Sequence, residues 1–234
     1  MVKQSHSLNQ NFKENLRPNK KRTLSSQTWL RRQINDIYVK AAKQDGYASR
    51  AAYKIIEINN KYKVLKSNSK VVDLGAAPGG WTQVASQILF KNKKNNLDAK
   101  LIAVDLLDIT PIENVDIVKG DFTDIEVINQ IKTLLGGEKA NLVMSDMAPN
   151  TTGSRSLDHL RIMNLVELTF IFSIEVLEDG GSMVAKVFQG GTENKLLAEI
   201  KQSFKTVSHF KPPASRKESS EMYLIATGFK GAKE

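Results

Sequence analysis

Six short runs rich in Val, Ile and Leu are spaced along the chain with helix-like stretches between most of them, and this alternation narrows the fold more than any other feature. The runs are VVDLG (71–75), LIAVDLL (101–107), VDIVKGD (115–121), NLVMSDM (141–147), SMVAKVF (182–188) and MYLIATG (222–228). Most are too continuously apolar to carry one solvated face, so the sheet they form is covered on both sides. Between them, GWTQVASQILF, DIEVINQIKTLL, SLDHLRIMNLVELTFIFSIEVLE and ENKLLAEIKQSF read as helices. This order implies an α/β fold with a mainly parallel sheet and helices on both faces. Ahead of it, SSQTWLRRQINDIYVKAAK reads as a helix capped by Ser25 or Ser26, with Trp29, Leu30, Ile34 and Ile37 at helical spacing, and a second helix runs from about Ser49 to Tyr62.

At 234 residues, 41% of them hydrophobic, the chain fits one core, since domains reach roughly 250 residues before splitting. We expect a single domain over 25–230, preceded by a basic, flexible arm over 1–24. The arm holds Lys3, Lys13, Arg17, Lys20, Lys21 and Arg22 against Glu14 alone. Over the whole chain 34 Lys and Arg oppose 25 Asp and Glu, a formal charge of +9, which favours a polyanionic partner. With no cysteine there is neither a disulfide framework nor a thiolate metal site, and His6, His159 and His209 form no ligand pattern, so no metal is expected. No apolar run approaches the roughly 18 residues of a membrane span. A cytoplasmic location is expected, although the Ser-, Asn- and Lys-rich N-terminus also suits an organellar address.

The first strand, turn and helix, KVVDLGAAPGGWTQVASQI (70–88), resembles a dinucleotide loop without being one. The dinucleotide fingerprint needs a glycine at its third position, where Ala77 stands. A P-loop would need Gly-Lys-Ser/Thr, also absent, and Pro78 removes a backbone donor that a pyrophosphate would use. Gly79 and Gly80 leave room beside the backbone, and Trp81 offers a flat apolar wall. Strand ends carry acids: Asp105 about 25 residues after the turn, suited to both hydroxyls of a ribose, and Asp121 in the GDF segment, suited to an adenine amino group. An adenosine without phosphate is wanted, and S-adenosylmethionine meets that description.

The segment VVDLGAAPGGWTQVASQ, followed by MSDMAPN (144–150), KVFQG (186–190) and SRKESSEMYLIATG (215–228), resembles the FtsJ/RrmJ family of ribosomal RNA ribose 2′-O-methyltransferases, from about Lys21 to Gly228. The resemblance implies a Rossmann-like, class I S-adenosylmethionine-dependent methyltransferase with a seven-stranded sheet. It implies a Lys-Asp-Lys-Glu tetrad falling on Lys54, Asp146, Lys186 and Glu221, with Lys186 as general base. Cofactor contacts would fall on Gly79, Trp81, Asp105 and Asp121, with Asp146 bordering both sites. The implied substrate is a uridine in large-subunit (23S) ribosomal RNA, within an assembled 50S particle, and the enzyme is expected to act as a monomer. Transfer RNA or organellar ribosomal RNA as substrate, and a non-catalytic RNA-binding protein, stay open as alternatives; an NAD-dependent dehydrogenase is disfavoured by Ala77.

The residue types suit this chemistry. A ribose hydroxyl becomes a nucleophile only when a nearby base takes its proton, and a lysine beside a second cation is eased toward the neutral form, while Asp146 and Glu221 orient both ammonium groups. Lys186 lies inside an apolar run, where an unpaired ammonium is costly to bury. Lys54 and Glu57 alone would read as an exposed helix pair. The RNA surface should join the basic arm to Arg31, Arg32 and the Ser49 to Lys54 segment, with Lys211, Arg216 and Lys217 on the other side. Two stretches depart from the family pattern: the arm before Lys20 and the polar insertion KNKKNNLDAK (91–100).

Overall fold

A computed structural model describes residues 23–91, 98–149, 152–190 and 194–231; most of the basic arm and of the 91–100 insertion lie outside the described residues. Seven strands form one sheet in the order β3-β2-β1-β4-β5-β7-β6. They are β1 (Lys70–Leu74), β2 (Lys100–Asp105), β3 (Asp116–Lys119), β4 (Ala140–Ser145), β5 (Leu177–Phe188), β6 (Phe204–Phe210) and β7 (Glu221–Phe229). The pairs among β1 to β5 are parallel, and β7 runs antiparallel between β5 and β6. The seven helices among the described residues are α1 (Leu24–Asn35), α2 (Ile37–Asp45), α3 (Ala52–Tyr62), α4 (Gly80–Leu89), α5 (Ile125–Leu134), α6 (Arg155–Val176) and α7 (Asn194–Ser203).

Strand periodicity divides the core into two layers. Val71, Leu101, Leu142, Val184 and Tyr223 pack with Ile55 and Ile58 of α3 and Trp81, Val84 and Ala85 of α4. Their neighbours Val72, Ile102, Val143, Ala185 and Leu224 face the other way, onto Ile131 of α5, Val166 and Phe170 of α6 and Ile200 of α7. Helices therefore cover both faces, as the unbroken apolar runs require. Chain connectivity reverses between β1, which feeds β2 on one side, and β4 on the other, and this switch point opens a crevice at the strand carboxyl ends.

Three expectations are corrected. The stretch from Ser25 to Lys43 is two helices, because Asp36 stops α1 and caps α2, its carboxylate accepting from the N–H groups of Tyr38 (3.0 Å) and Val39 (3.4 Å). The cap of α1 is Thr23, whose hydroxyl accepts from Ser26 N–H at 3.2 Å. The helix expected from about Ser49 is α3, which begins at Ala52, with Ser49 to Ala51 in the turn before it. The strand that the apolar runs do not mark, β6 (FKTVSHF), has no continuous apolar run because it lies at the sheet edge with much of its length exposed.

Candidate active site

At the switch point the first turn folds tightly. Gly75, at φ +70°, leaves β1 so close to Met147 that a Cβ there would stand 2.1 Å from that side chain's Cγ. The Ala77–Pro78 peptide is cis. Asp105 holds the turn from below, accepting from Ala77 N–H with one oxygen and from Leu107 N–H with the other, both at 2.8 Å. The room at Gly80 is filled by the chain itself, since a Cβ would lie 2.5 Å from Ser49 Oγ ahead of α3.

A cavity of about 760 Å³ opens over these strand ends, lined by Gly75, Asp105, Asp121 and Asp146 with Leu106, Leu107, Phe122 and Met147, and walled by Leu160, Arg161 and Asn164 of α6. The structure thus brings Asp105, Asp121 and Asp146 onto one cavity. Asp121 uses one oxygen to accept from the N–H and hydroxyl of Thr123. Gly79 and Trp81 do not line the cavity. Instead of forming a ligand wall, Trp81 is 2% exposed in the core, donates its indole N–H to Ala51 O at 2.9 Å and packs its ring 5.5 Å from that of Tyr223.

Beside this cavity the four predicted catalytic residues meet, drawn from α3, the end of β4, β5 and the start of β7. Lys186 Nζ is 2.8 Å from Asp146 Oδ1 and donates to the Asp146 backbone carbonyl at 2.6 Å. Lys54 Nζ is 2.8 Å from Glu221 Oε2 and 3.6 Å from Asp146 Oδ2, and Glu221 Oε2 is 3.7 Å from Lys186. Two ammonium groups and two carboxylates thus alternate in a compact cluster, with Lys54 and Lys186 each only 8% exposed. Burial would raise the Asp146 carboxyl, but the ammonium groups of Lys186 and Lys54, with hydrogen bonds from Lys186 and Tyr223, together hold it below the ordinary carboxylate value.

The exposed helix pair that Lys54 and Glu57 suggested is not formed. Glu57 turns away from Lys54, accepting from Tyr38 Oη (3.2 Å) and from Ala214 N–H (2.7 Å), and burial raises its carboxyl. Several expected RNA-facing cations have protein partners. Asp36 pairs with Arg50 at 3.1 Å and Arg216 at 3.2 Å, and Lys211 donates to the carbonyls of Lys217 and Ser219. The side chains of Arg31 and Arg32 lie outside the described residues.

One residue of the cluster, Tyr223, escaped the sequence reading, and a second buried group, Asp73, is one of three strand acids, with Asp105 and Asp121, that the sequence marks. Tyr223 is fully buried and donates its hydroxyl to Asp146 Oδ1 at 2.5 Å; burial, then the Asp146 and Glu221 carboxylates, push its pKa well above the ordinary value. Its signal was the strand period: Tyr223 lies two residues from Glu221 on the same face and directly opposite Lys186. Asp73, on the α4 side of β1, is 1% exposed, accepts from Thr82 Oγ1 at 2.6 Å, and leaves Oδ1 without a partner. Burial raises its pKa to about 8, against the Thr82 hydrogen bond and with a further push from Asp146 and Asp105. Among the described residues, no group of His, Asp and Glu could hold a metal ion, and no helix is long and apolar enough to cross a membrane.

Residues 47–229 match the model of the FtsJ-like methyltransferase family. The chain belongs to that family. It is 52% identical over 215 residues to the ribosomal RNA large subunit methyltransferase E of Gluconobacter oxydans, an alignment covering 92% of this chain and 77% of the relative. It is 50% identical over 211 residues to the protein of that name from Rickettsia africae, covering 90% and 92%. A crystal structure titled as a ribosomal RNA methyltransferase from Plasmodium falciparum superposes with a TM-score of 0.68 at 32% identity, covering 80% of this chain and 100% of that one. The mainly parallel sheet expected from the strand pattern is thus the Rossmann-like methyltransferase sheet that the family resemblance implied.

Proposed function

We propose that this chain methylates a ribose 2′-hydroxyl of large-subunit ribosomal RNA, at a uridine, using S-adenosylmethionine. The observation that carries the reading is the junction of the two sites at Asp146: the residue lines the strand-end cavity and its carboxylate binds both lysines of the cluster. The residues present fit the donor. Asp105 and Asp121 are acceptors on a cavity with apolar walls, suited to an adenosine's hydroxyls and amino group. Gly79 and Trp81 serve by shaping the turn and its packing. When bound, S-adenosylmethionine supplies a sulfonium methyl that the ribose oxygen takes in line, the C–S electron pair remaining on sulfur as S-adenosylhomocysteine.

Lys186 is the general base, receiving the ribose proton on Nζ while the Asp146 carboxylate and carbonyl fix that nitrogen's position. Lys54 and Glu221 hold the other side of the cluster, and no metal takes part. Much of the acceleration comes from holding oxygen and methyl in line. Residues 25–230 act as one methyltransferase domain, as a monomer in the cytoplasm, on RNA assembled in the 50S particle. The names of the relatives support the RNA class, and the geometry of the cluster supports the hydroxyl as acceptor.

The test incubates the protein with methyl-labelled donor and 50S subunits, naked 23S RNA or transfer RNA, then maps the product nucleotide. A 2′-O-methyluridine in large-subunit RNA is expected, and Lys186→Ala should abolish transfer with donor affinity unchanged. No transfer to any RNA despite measured donor binding would overturn the reading.

A further inference from the structure

The proposed catalytic cluster leaves one set of buried polar contacts unused, and they converge on residues 212–216. Ala214 is fully buried, and both its backbone groups are taken by α3 and the turn before it. Its N–H donates to Glu57 Oε2 at 2.7 Å, and its carbonyl accepts from the Arg50 guanidinium. On the far side, Arg216 reaches Asp36 at 3.2 Å. Ser215 N–H closes the turn onto Pro212 O at 2.8 Å. Between these anchors Ser215 is 5% exposed, and its hydroxyl donates to Glu221 Oε1 at 2.7 Å.

We propose that Ser215 is a positioning residue for methyl transfer: held by this brace, its hydroxyl fixes the rotation of the Glu221 carboxylate and thereby the lysine cluster. The proposal rests on the tetrad reading and extends it. A carboxylate's last torsion is broad, so a neighbouring hydrogen bond sets its angle. With Oε1 taken by Ser215, Oε2 is left aimed between two ammonium nitrogens, 2.8 Å from Lys54 and 3.7 Å from Lys186. Without the hydroxyl, Oε1 loses its donor, while the ammonium groups of Lys54 and Lys186 stand beside Oε2 of the same carboxylate. The carboxylate then turns both oxygens on them and draws Lys54 from its place, while the RNA and donor surfaces stay as they were.

The test is a double-mutant cycle of Ser215→Ala and Glu221→Gln, read in steady-state methyl transfer to RNA. Ser215→Ala should lower kcat about ten-fold, the loss of one hydrogen bond to a charged group, and leave KM for RNA and donor within two-fold. In the Glu221→Gln background it should add little: the amide oxygen still accepts from Ser215, but it carries no charge for that hydrogen bond to aim at the lysines. A wild-type kcat in Ser215→Ala, a loss carried by KM, or additive effects in the double variant would overturn the proposal. If Glu221→Gln is slow while Ser215→Ala is not, the proposal alone falls. If Glu221→Gln itself transfers at the wild-type rate, the tetrad reading falls and takes the proposal with it.

Discussion

Asp146→Asn tests whether charge, rather than shape, holds the cluster. The variant keeps the side chain's volume and a carbonyl oxygen to accept from Tyr223, but removes the counter-charge from ammonium groups at 2.8 and 3.6 Å. Breaking a buried ion pair on one side costs about 3–5 kcal/mol. Two features keep this case at the low end: the carboxylate is 17% exposed, and Lys186 retains the Asp146 backbone carbonyl at 2.6 Å. A loss of about 3 kcal/mol lowers Tm by about 6–12 °C in a chain of this size. The pH dependence separates charge from packing. The folded-state pKa of Asp146 is depressed, so its contribution is fully present above the unfolded value near 4 and is lost as pH falls through the lower folded value. Urea unfolding of wild type and variant should therefore differ at pH 7 and converge progressively below about pH 4. A Tm within 2 °C of wild type at neutral pH, or a gap that persists unchanged to low pH, would refute the reasoning.

Asp73→Asn should act with the opposite sign: burial raises the folded pKa to about 8, so wild type loses stability between the unfolded value and pH 8 as only the unfolded chain ionises. The amide, still able to accept from Thr82, should be more stable than wild type at pH 7 and equal to it near pH 4, measured by the same urea titration. Gly75→Ala places a Cβ against Met147 and a side chain at positive φ, so donor affinity should fall at least ten-fold by calorimetry with the circular dichroism spectrum retained. Tyr223→Phe keeps the ring against Trp81 but removes the donor to Asp146, which should cost about 1.5 kcal/mol in denaturant unfolding.

The legible parts of the chain were those where local pattern and burial agree. Unbroken apolar runs marked β1, β2 and β4 because the sheet is covered on both faces there. The edge strand β6 was missed because exposure removes that signal. Lys186 was conspicuous as a cation inside an apolar run, whereas Lys54 was not, since helical spacing alone suggested a surface partner in Glu57. What decides between those readings is a residue 157 positions away, Ala214, whose N–H claims Glu57. Trp81 was misread for the converse reason: an aromatic beside a glycine turn has the same sequence appearance whether it faces a ligand or the core. Asp36 shows the limit most simply, since a single capping carboxylate cuts an apparently continuous helix in two and then ties together Arg50 and Arg216.

The proposed catalytic cluster sums to zero: two cations and two anions, closed on one another. It is therefore no attractor for a phosphate, and a polyanion drawn to the chain's net positive charge feels little pull toward the reacting nitrogen itself. Attraction and chemistry are separated in space. On the function proposed above, the backbone of an RNA is gripped elsewhere on the surface, and an uncharged ribose rather than a phosphate is what meets the buried lysines.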